Sequence, residues 1–120
     1  MRSWLDAGIA PAMSSDCPAT SGEELISPLL GIYVAVTRKT DEGKELGPEQ
    51  RITVEEALRS YTLNGAYATF EDDIKGSIKA GKLADFAVLS EDPTAVPVDK
   101  IKDIFVEMTL IGGRIVYKKK

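Results

Sequence analysis

The chain has 120 residues, of which 43% are hydrophobic and 28% are charged, and its formal net charge at pH 7 is -4. This composition is typical of a folded globular protein, and the length fits one domain or a part of one. The acidic balance leaves no basic surplus to neutralise phosphates, so we expect no binding to nucleic acid. The single cysteine excludes a disulfide framework, and the lack of histidine excludes a Ser-His-Asp triad.

Every apolar run is shorter than the roughly 18 residues that a membrane-spanning helix needs. The N-terminal stretch MRSWLDAGIAPAM is too short and too broken by polar residues to form a signal peptide. We therefore expect a soluble, cytoplasmic protein that does not engage a membrane.

The first elements in chain order are a helix end and a short strand. SWLDAG, residues 3–8, has the pattern of a last helical turn closed by Gly8, because glycine adopts the left-handed conformation without penalty. IAPAMSS, residues 9–15, is predicted to be a buried strand that ends at Asp16. Such a strand needs parallel neighbours, and the chain offers no candidate for them.

Helices are predicted for the middle of the chain, after a loop over residues 17–27. SPLLGIYVAVTRKT places Ser27 at the N-cap and Pro28 at the first helical position. After a polar loop, TVEEALRSYT begins with Thr53 and Glu56 at capping-box spacing and continues with one apolar face.

The next part of the sequence predicts where the helices end and where strands take over. Asn64-Gly65 is predicted to stop the helix, and a second short helical piece packed by Tyr67 and Phe70 follows. From residue 76 the pattern is that of strands: FAVL is compact, and DIFVEMTLI and RIVYK flank a Gly-Gly pair, which is typical of a hairpin. The predicted fold class is therefore α+β.

Asp16 is the residue with the most suggestive position, at the end of the predicted strand. On its own, an acid in such a setting is more often a turn or capping residue. Cys17 has no histidine to act as its base, so we interpret it as a small loop residue. Asp85 is interpreted as a turn acid that binds local backbone N–H groups. The adjacent acid pairs are interpreted as solvated faces: Glu23-Glu24, Glu55-Glu56 and Asp72-Asp73.

Five motifs follow one another in an order that resembles a known family. They are SD.P, AVTR, EALRSYT, GS(I)..GK.ADF..L and GGR.VY, and the similarity to which they belong runs over almost the whole chain. The chain resembles the C-terminal end of the metal-dependent hydrolases of the amidohydrolase superfamily, in the branch called amidohydrolase family 3. Arg38, within AVTR, is interpreted as a surface or helix-terminal cation.

The resemblance implies a parent with a (β/α)8 barrel and a composite β-sandwich built from both ends of its chain. Residues 1–75 would be the end of the barrel, that is, its last strand and closing helices. Residues 76–120 would be the C-terminal portion of the sandwich, with its hairpin. The α+β fold expected for this chain is therefore a barrel remnant followed by sandwich strands.

The resemblance also gives Asp16 a catalytic role, in which the matching acid ligates or lies beside a divalent metal that we expect to be Zn²⁺. In the family, the matching acid accepts a proton from a metal-bound water that attacks a C–N bond other than a peptide bond. The substrate class is a small amide-type molecule. The family's histidine ligands lie upstream of the matched part, so we expect no metal and no activity in this chain alone.

Two other interpretations remain open alongside a fragment of such an enzyme. The chain could be a stand-alone, non-catalytic interaction or oligomerisation module derived from the family, or a separate polypeptide could supply the missing strands. A barrel remnant exposes strand edges and apolar helix faces, so we expect it to form a homo-oligomer.

Overall fold

The computed structural model describes residues 1–15, 27–40 and 42–120. These residues form four α-helices, named α1 to α4, and three strands, named β1 to β3. The helices are α1 (Arg2–Asp6), α2 (Pro28–Thr37), α3 (Val54–Tyr61) and α4 (Leu63–Ala68). The strands are β1 (Phe86–Leu89), β2 (Val106–Ile111) and β3 (Arg114–Lys118), and short 3₁₀ helices span Pro48–Gln50 and Val98–Asp103. Within this described part, no helix has both the length and the apolar character needed to cross a membrane.

Helix α1 ends at the predicted glycine. Gly8 has a φ of 76°. Its N–H donates to the carbonyl of Leu5 at 2.9 Å, and the N–H of Ile9 donates to the carbonyl of Trp4 at 2.9 Å. These two bonds are the Schellman pattern, in which a left-handed residue satisfies the last carbonyls of a helix.

Residues 9–15 do not form the strand that the sequence predicts, because this segment has neither helix nor strand conformation. A strand is defined by its ladder to a neighbour, and the three strands of the described chain pair only with one another. The segment instead bonds to helices: the N–H of Met13 donates to the carbonyl of Ser60 at 3.0 Å. Its correspondence to a last barrel strand stays a prediction.

The two predicted helix starts are confirmed. Helix α2 begins at Pro28 after Ser27, and it ends at Thr37, earlier than the predicted stretch, where Arg38 takes a φ of 57°. Helix α3 carries the complete capping box. The Thr53 hydroxyl accepts from the N–H of Glu56 at 3.2 Å, and the Glu56 carboxylate accepts from the N–H of Thr53 at 2.8 Å.

The predicted helix stop at Asn64-Gly65 is wrong, because both residues lie inside α4. The helix is interrupted earlier, at Thr62, which lies between α3 and α4 and has φ and ψ values of -125° and -88°. Asn64 is only 3% exposed, since its side chain faces inwards and donates to the carbonyl of Pro11 at 2.9 Å.

The second helical piece exists, but it is not packed by the predicted aromatic residues. Tyr67 is 59% exposed and Phe70 is 94% exposed. Phe70 also has a φ of 59°, in the left-handed region where any residue with a Cβ pays a steric cost. The apolar periodicity of this stretch therefore does not mark a face buried within the described chain.

The core forms around α2, and residues on both sides of position 75 contribute to it. Besides residues of α2, the cluster includes one residue of α3 and one residue of the loop before α3. It also includes two residues at the second 3₁₀ helix, in the strand part of the chain. The buried apolar cluster consists of Leu29, Ile32, Ala35, Ile52, Ala57, Ile101 and Ile104.

The strands form an antiparallel sheet in the order β1-β2-β3. The register places Phe86 opposite Leu110, and Thr109 opposite Tyr117. Strands β2 and β3 are joined by Gly112 and Gly113, with φ values of 55° and 77°. Two central residues with positive φ define the hairpin turn that matches the twist of the strands, so the predicted hairpin is confirmed.

Candidate functional site

Asp16, the predicted catalytic and metal-side residue, lies outside the residues that the structure describes. Cys17 and the Glu23-Glu24 pair lie outside them as well. The described chain runs up to Ser15, one residue before the predicted acid. The structure therefore describes residues 9–15, which lead to this residue, and the helices that contact them.

A groove of about 270 Å³ lies between the end of this segment and α2. Its walls combine serine hydroxyls, apolar side chains of α2 and one phenol. The lining residues are Met1, Met13, Ser14, Ser15, Ser27, Leu30, Gly31, Val34, Ala35, Arg38 and Tyr61.

The polar groups of this groove are suited to hydrogen bonding and not to proton abstraction. Burial raises the pKa of the Tyr61 phenol, which keeps it neutral near pH 7. A Cβ on Gly31 would lie 1.9 Å from the Tyr61 hydroxyl, so glycine at this position makes room for the ring. Arg38 donates through Nε to the carbonyl of Leu46 at 2.9 Å, and it is the left-handed residue that ends α2. Its placement is that of a helix-terminal cation.

The acid pair that begins α3 serves the structure of the helix. The hydrogen bond from the Arg2 guanidinium holds the pKa of the Glu56 carboxyl below its ordinary value. The hydrogen bond from the N–H of Thr53 makes a smaller contribution in the same direction. Glu56 therefore joins α1 to the N-terminus of α3, while its neighbour Glu55 is exposed. The lowered pKa of Glu56 is the opposite of the raised pKa that a general acid needs near neutral pH.

The described residues do not fit a catalytic metal. Within residues 1–15, 27–40 and 42–120, no three or more histidine, cysteine, aspartate or glutamate side chains come together as a ligand set. The whole sequence contains no histidine. A catalytic zinc needs about three protein ligands and one open position. The ligands of such a metal must therefore include groups from outside this described part.

Sequence reasoning missed a larger cleft of about 1110 Å³, which lies between the helices and the sheet. Side chains of α2, α3 and α4 form one wall, and Phe86, Leu89 and Val106 contribute to the other. The buried hydroxyl of Ser77 has no hydrogen-bond partner in the described chain. No local sequence pattern indicates this cleft, because residues far apart in sequence form its two walls.

Asp85 has a structural role that the sequence predicts only in part. Its carboxylate accepts a backbone N–H, as expected, but the donor is Gly112 at 2.7 Å, which lies 27 positions away and is not a local group. The N–H of Gly113 donates to the carbonyl of Ala84 at 2.9 Å. These two bonds fasten the hairpin turn to the start of β1.

We expect Asp85→Ala to lower the free energy of unfolding by about 0.5–1.5 kcal/mol, because the exposed N–H of Gly112 exchanges its carboxylate acceptor for water. Urea denaturation monitored by circular dichroism measures the change. Asp85→Asn is the matched control, since its amide oxygen still accepts the bond and should recover about half of the loss. Equal losses in the two variants would contradict an acceptor role for Asp85.

The chain is similar to known proteins over nearly its whole length. A sequence profile described as the amidohydrolase family matches residues 1–117. N-substituted formamide deformylase of Arthrobacter pascens is 36% identical over 99% of this chain and 21% of its own length. The putative amidohydrolase YtcJ of Bacillus subtilis is 35% identical over 98% of this chain and 22% of its own length. The chain thus spans about a fifth of the length of these relatives.

The fold has a counterpart among solved structures. An amidohydrolase from Thermotoga maritima superposes with a TM-score of 0.70 at 24% identity, and the match covers 96% of this chain and 24% of that protein. At this identity the likeness concerns the fold alone. Together with the profile match over nearly all residues, it leads to one conclusion: this chain belongs to the amidohydrolase family.

Proposed function

We propose that this chain is the C-terminal part of a metal-dependent hydrolase that cleaves a C–N bond, other than a peptide bond, in a small amide-type molecule. The observation that carries the proposal is the profile match over residues 1–117. It is supported by a relative that is named as a deformylase of N-substituted formamides. The resemblance contributes the metal, which we propose to be zinc.

Each part of the chain has a proposed contribution to this enzyme. Residues 1–75 supply the end of the barrel, and residues 76–120 supply strands of the composite sandwich. Asp16 supplies one carboxylate to the active site. Since the chain has no histidine, we propose that the 120 residues alone neither hold zinc nor hydrolyse an amide.

A chimera tests this proposal. The chain replaces the segment that it matches in N-substituted formamide deformylase, and we measure zinc content and the hydrolysis of an N-substituted formamide. We expect the chimera to bind zinc and to be active, whereas the 120-residue chain does neither. Asp16→Asn in the chimera should lower kcat about 10²–10⁴-fold, the usual contribution of a general base.

Asp73→Asn, at an exposed position, is the control and should leave kcat unchanged. An active chimera in which Asp16→Asn keeps its rate would contradict the role of Asp16. Stoichiometric zinc and turnover in the isolated chain would contradict the proposal that it cannot complete the site.

A stand-alone interaction module is the second candidate function, and exposed apolar surface favours it. Ile78 is 84% exposed and Ile115 is 57% exposed. In the described chain, β1 and β3 each pair only with β2, so each has one unpaired edge. On this proposal the chain forms a homo-oligomer, and sedimentation that shows only monomer at high concentration would exclude it.

A further inference from the structure

The segment that leads to Asp16 is fixed by hydrogen bonds that come from the junction of α3 and α4. Residues 9–15 have no strand ladder, yet Pro11 is buried. Its carbonyl accepts from the Asn64 carboxamide at 2.9 Å, and the N–H of Met13 donates to the carbonyl of Ser60 at 3.0 Å. Asn64, which donates one of these bonds, and Ser60, which accepts the other, lie four residues apart on either side of Thr62, where α3 gives way to α4.

The break explains why a carbonyl of α3 is free to bind this segment. The last four carbonyls of a helix have no intrahelical donor. At the end of α3 the hydroxyl of Thr62 donates to the carbonyl of Leu58 at 2.8 Å, and its N–H donates to the carbonyl of Arg59 at 3.2 Å. The carbonyl of Ser60 is the next in line, and Met13 supplies its donor.

Asn64 is not suited to its helix, and its burial requires a partner. Asparagine is among the weaker helix formers. Here the residue is 3% exposed, and a buried carboxamide without partners costs about 1–3 kcal/mol. The bond to the Pro11 carbonyl crosses 53 positions of sequence, and it satisfies both buried groups at once.

We propose that Asn64 is a positioning residue for the active site. Its carboxamide and the Ser60 carbonyl hold residues 11–13, and they thereby set the path of the backbone just before Asp16. The role of Asp16 in this statement rests on the proposed function, whereas the anchoring of residues 11–13 does not.

Amide hydrogen exchange on the full 120-residue chain tests the anchoring. Asn64→Leu has a similar size and no donor, whereas Asn64→Gln keeps the donor and is one methylene too long. If Asn64 acts through its hydrogen bond, the Leu variant loosens the segment and the Gln variant retains part of the protection. A role in packing alone predicts the opposite order.

The readout is the ratio of the Met13 amide exchange rate in a variant to the Met13 rate in the unsubstituted chain. The Ala57 amide, which donates to the carbonyl of Thr53 inside the capped helix, reports the opening of that helix separately. We expect the ratio to rise about tenfold in Asn64→Leu, the factor that corresponds to one lost buried hydrogen bond, and about threefold or less in Asn64→Gln. Ser60→Ala is the control, since its carbonyl remains and its ratio should not change.

A ratio that stays within about twofold in Asn64→Leu, or a larger rise in Asn64→Gln, would overturn the proposal. The consequence for Asp16 is measured in the chimera, where Asn64→Leu should lower kcat with little change in KM. If Asn64→Leu passes the exchange test but leaves kcat unchanged in an active chimera, the positioning of Asp16 is refuted. An inactive parent chimera counts against the proposed function, while the exchange ratio still decides the anchoring.

Discussion

Gly76→Ala should lower the free energy of unfolding by about 2–5 kcal/mol, because the added methyl group meets two obstacles. Gly76 has a φ of 85°, where a Cβ costs about 1–2 kcal/mol. The new Cβ would also lie 2.7 Å from the Cβ of Ala66 and 3.0 Å from the Cα of Leu63. Backbone and a short methyl group cannot move aside as a long side chain can. Urea denaturation measures the loss.

Gly81→Ala is the matched control for this prediction. Gly81 has a φ of 90°, but a Cβ there would meet nothing within 4 Å, so only the backbone cost applies. Both substitutions reduce the entropy of the unfolded chain equally, and the difference between them isolates the contact with α4. Ala66→Gly should recover part of the loss when combined with Gly76→Ala. Equal losses at positions 76 and 81 would refute the close approach.

Ile101→Ala should lower the free energy of unfolding by about 2–5 kcal/mol, the usual range for a truncated buried isoleucine. Ile101 is 0% exposed and belongs to the same core cluster as Leu29 and Ile32 of α2. The cavity would open where the strand part of the chain packs on the helical part. Thermal unfolding followed by circular dichroism and by the fluorescence of Trp4, the one tryptophan of the sequence, measures both the loss and its cooperativity.

Val98→Ala provides the comparison within the same 3₁₀ helix, since Val98 is 38% exposed and should cost less than about 1 kcal/mol. We expect both optical signals to shift together in Ile101→Ala, because the core includes residues from both sides of position 75. If the two signals shifted by different amounts, the two parts would be energetically separate.

The elements that could be predicted from the sequence are those stabilised by their own neighbours. The Thr53–Glu56 capping box and the Gly112-Gly113 turn each depend on residues within a few positions of one another. In such elements the local chemistry and the final structure coincide, so the pattern is sufficient.

The failures occur where the deciding partner is distant in sequence. Asparagine next to glycine is common at helix ends and predicts a stop at Asn64, but this residue lies inside α4 and its side chain bonds to the distant carbonyl of Pro11. Residues 9–15 have the composition of a buried strand, yet a strand requires a neighbour to pair with. The position of Asp85 before a strand predicts local donors, but its donor belongs to a hairpin turn 27 positions later.

The candidate site, too, could be predicted from the sequence only in part. Residue chemistry alone favours a turn role for Asp16, and only the ordered motifs of the family give it a catalytic one. The anchoring of the preceding residues by Asn64 and Ser60 had no signal in the sequence, because a carbonyl freed by a helix break leaves no pattern of residue types. The local motif around Asp16 therefore identifies a candidate residue but not its supports.

The exposed, left-handed Phe70 has a practical consequence for spectroscopy. A side chain that is 94% exposed can be exchanged for one that carries a fluorophore or spin label without opening the core. Another L residue placed at this φ of 59° pays the same backbone cost that Phe70 already pays, so the exchange should change stability little. For thiol labelling, Cys17 is the chain's only native cysteine, and replacing it first would make Phe70→Cys the single labelled position.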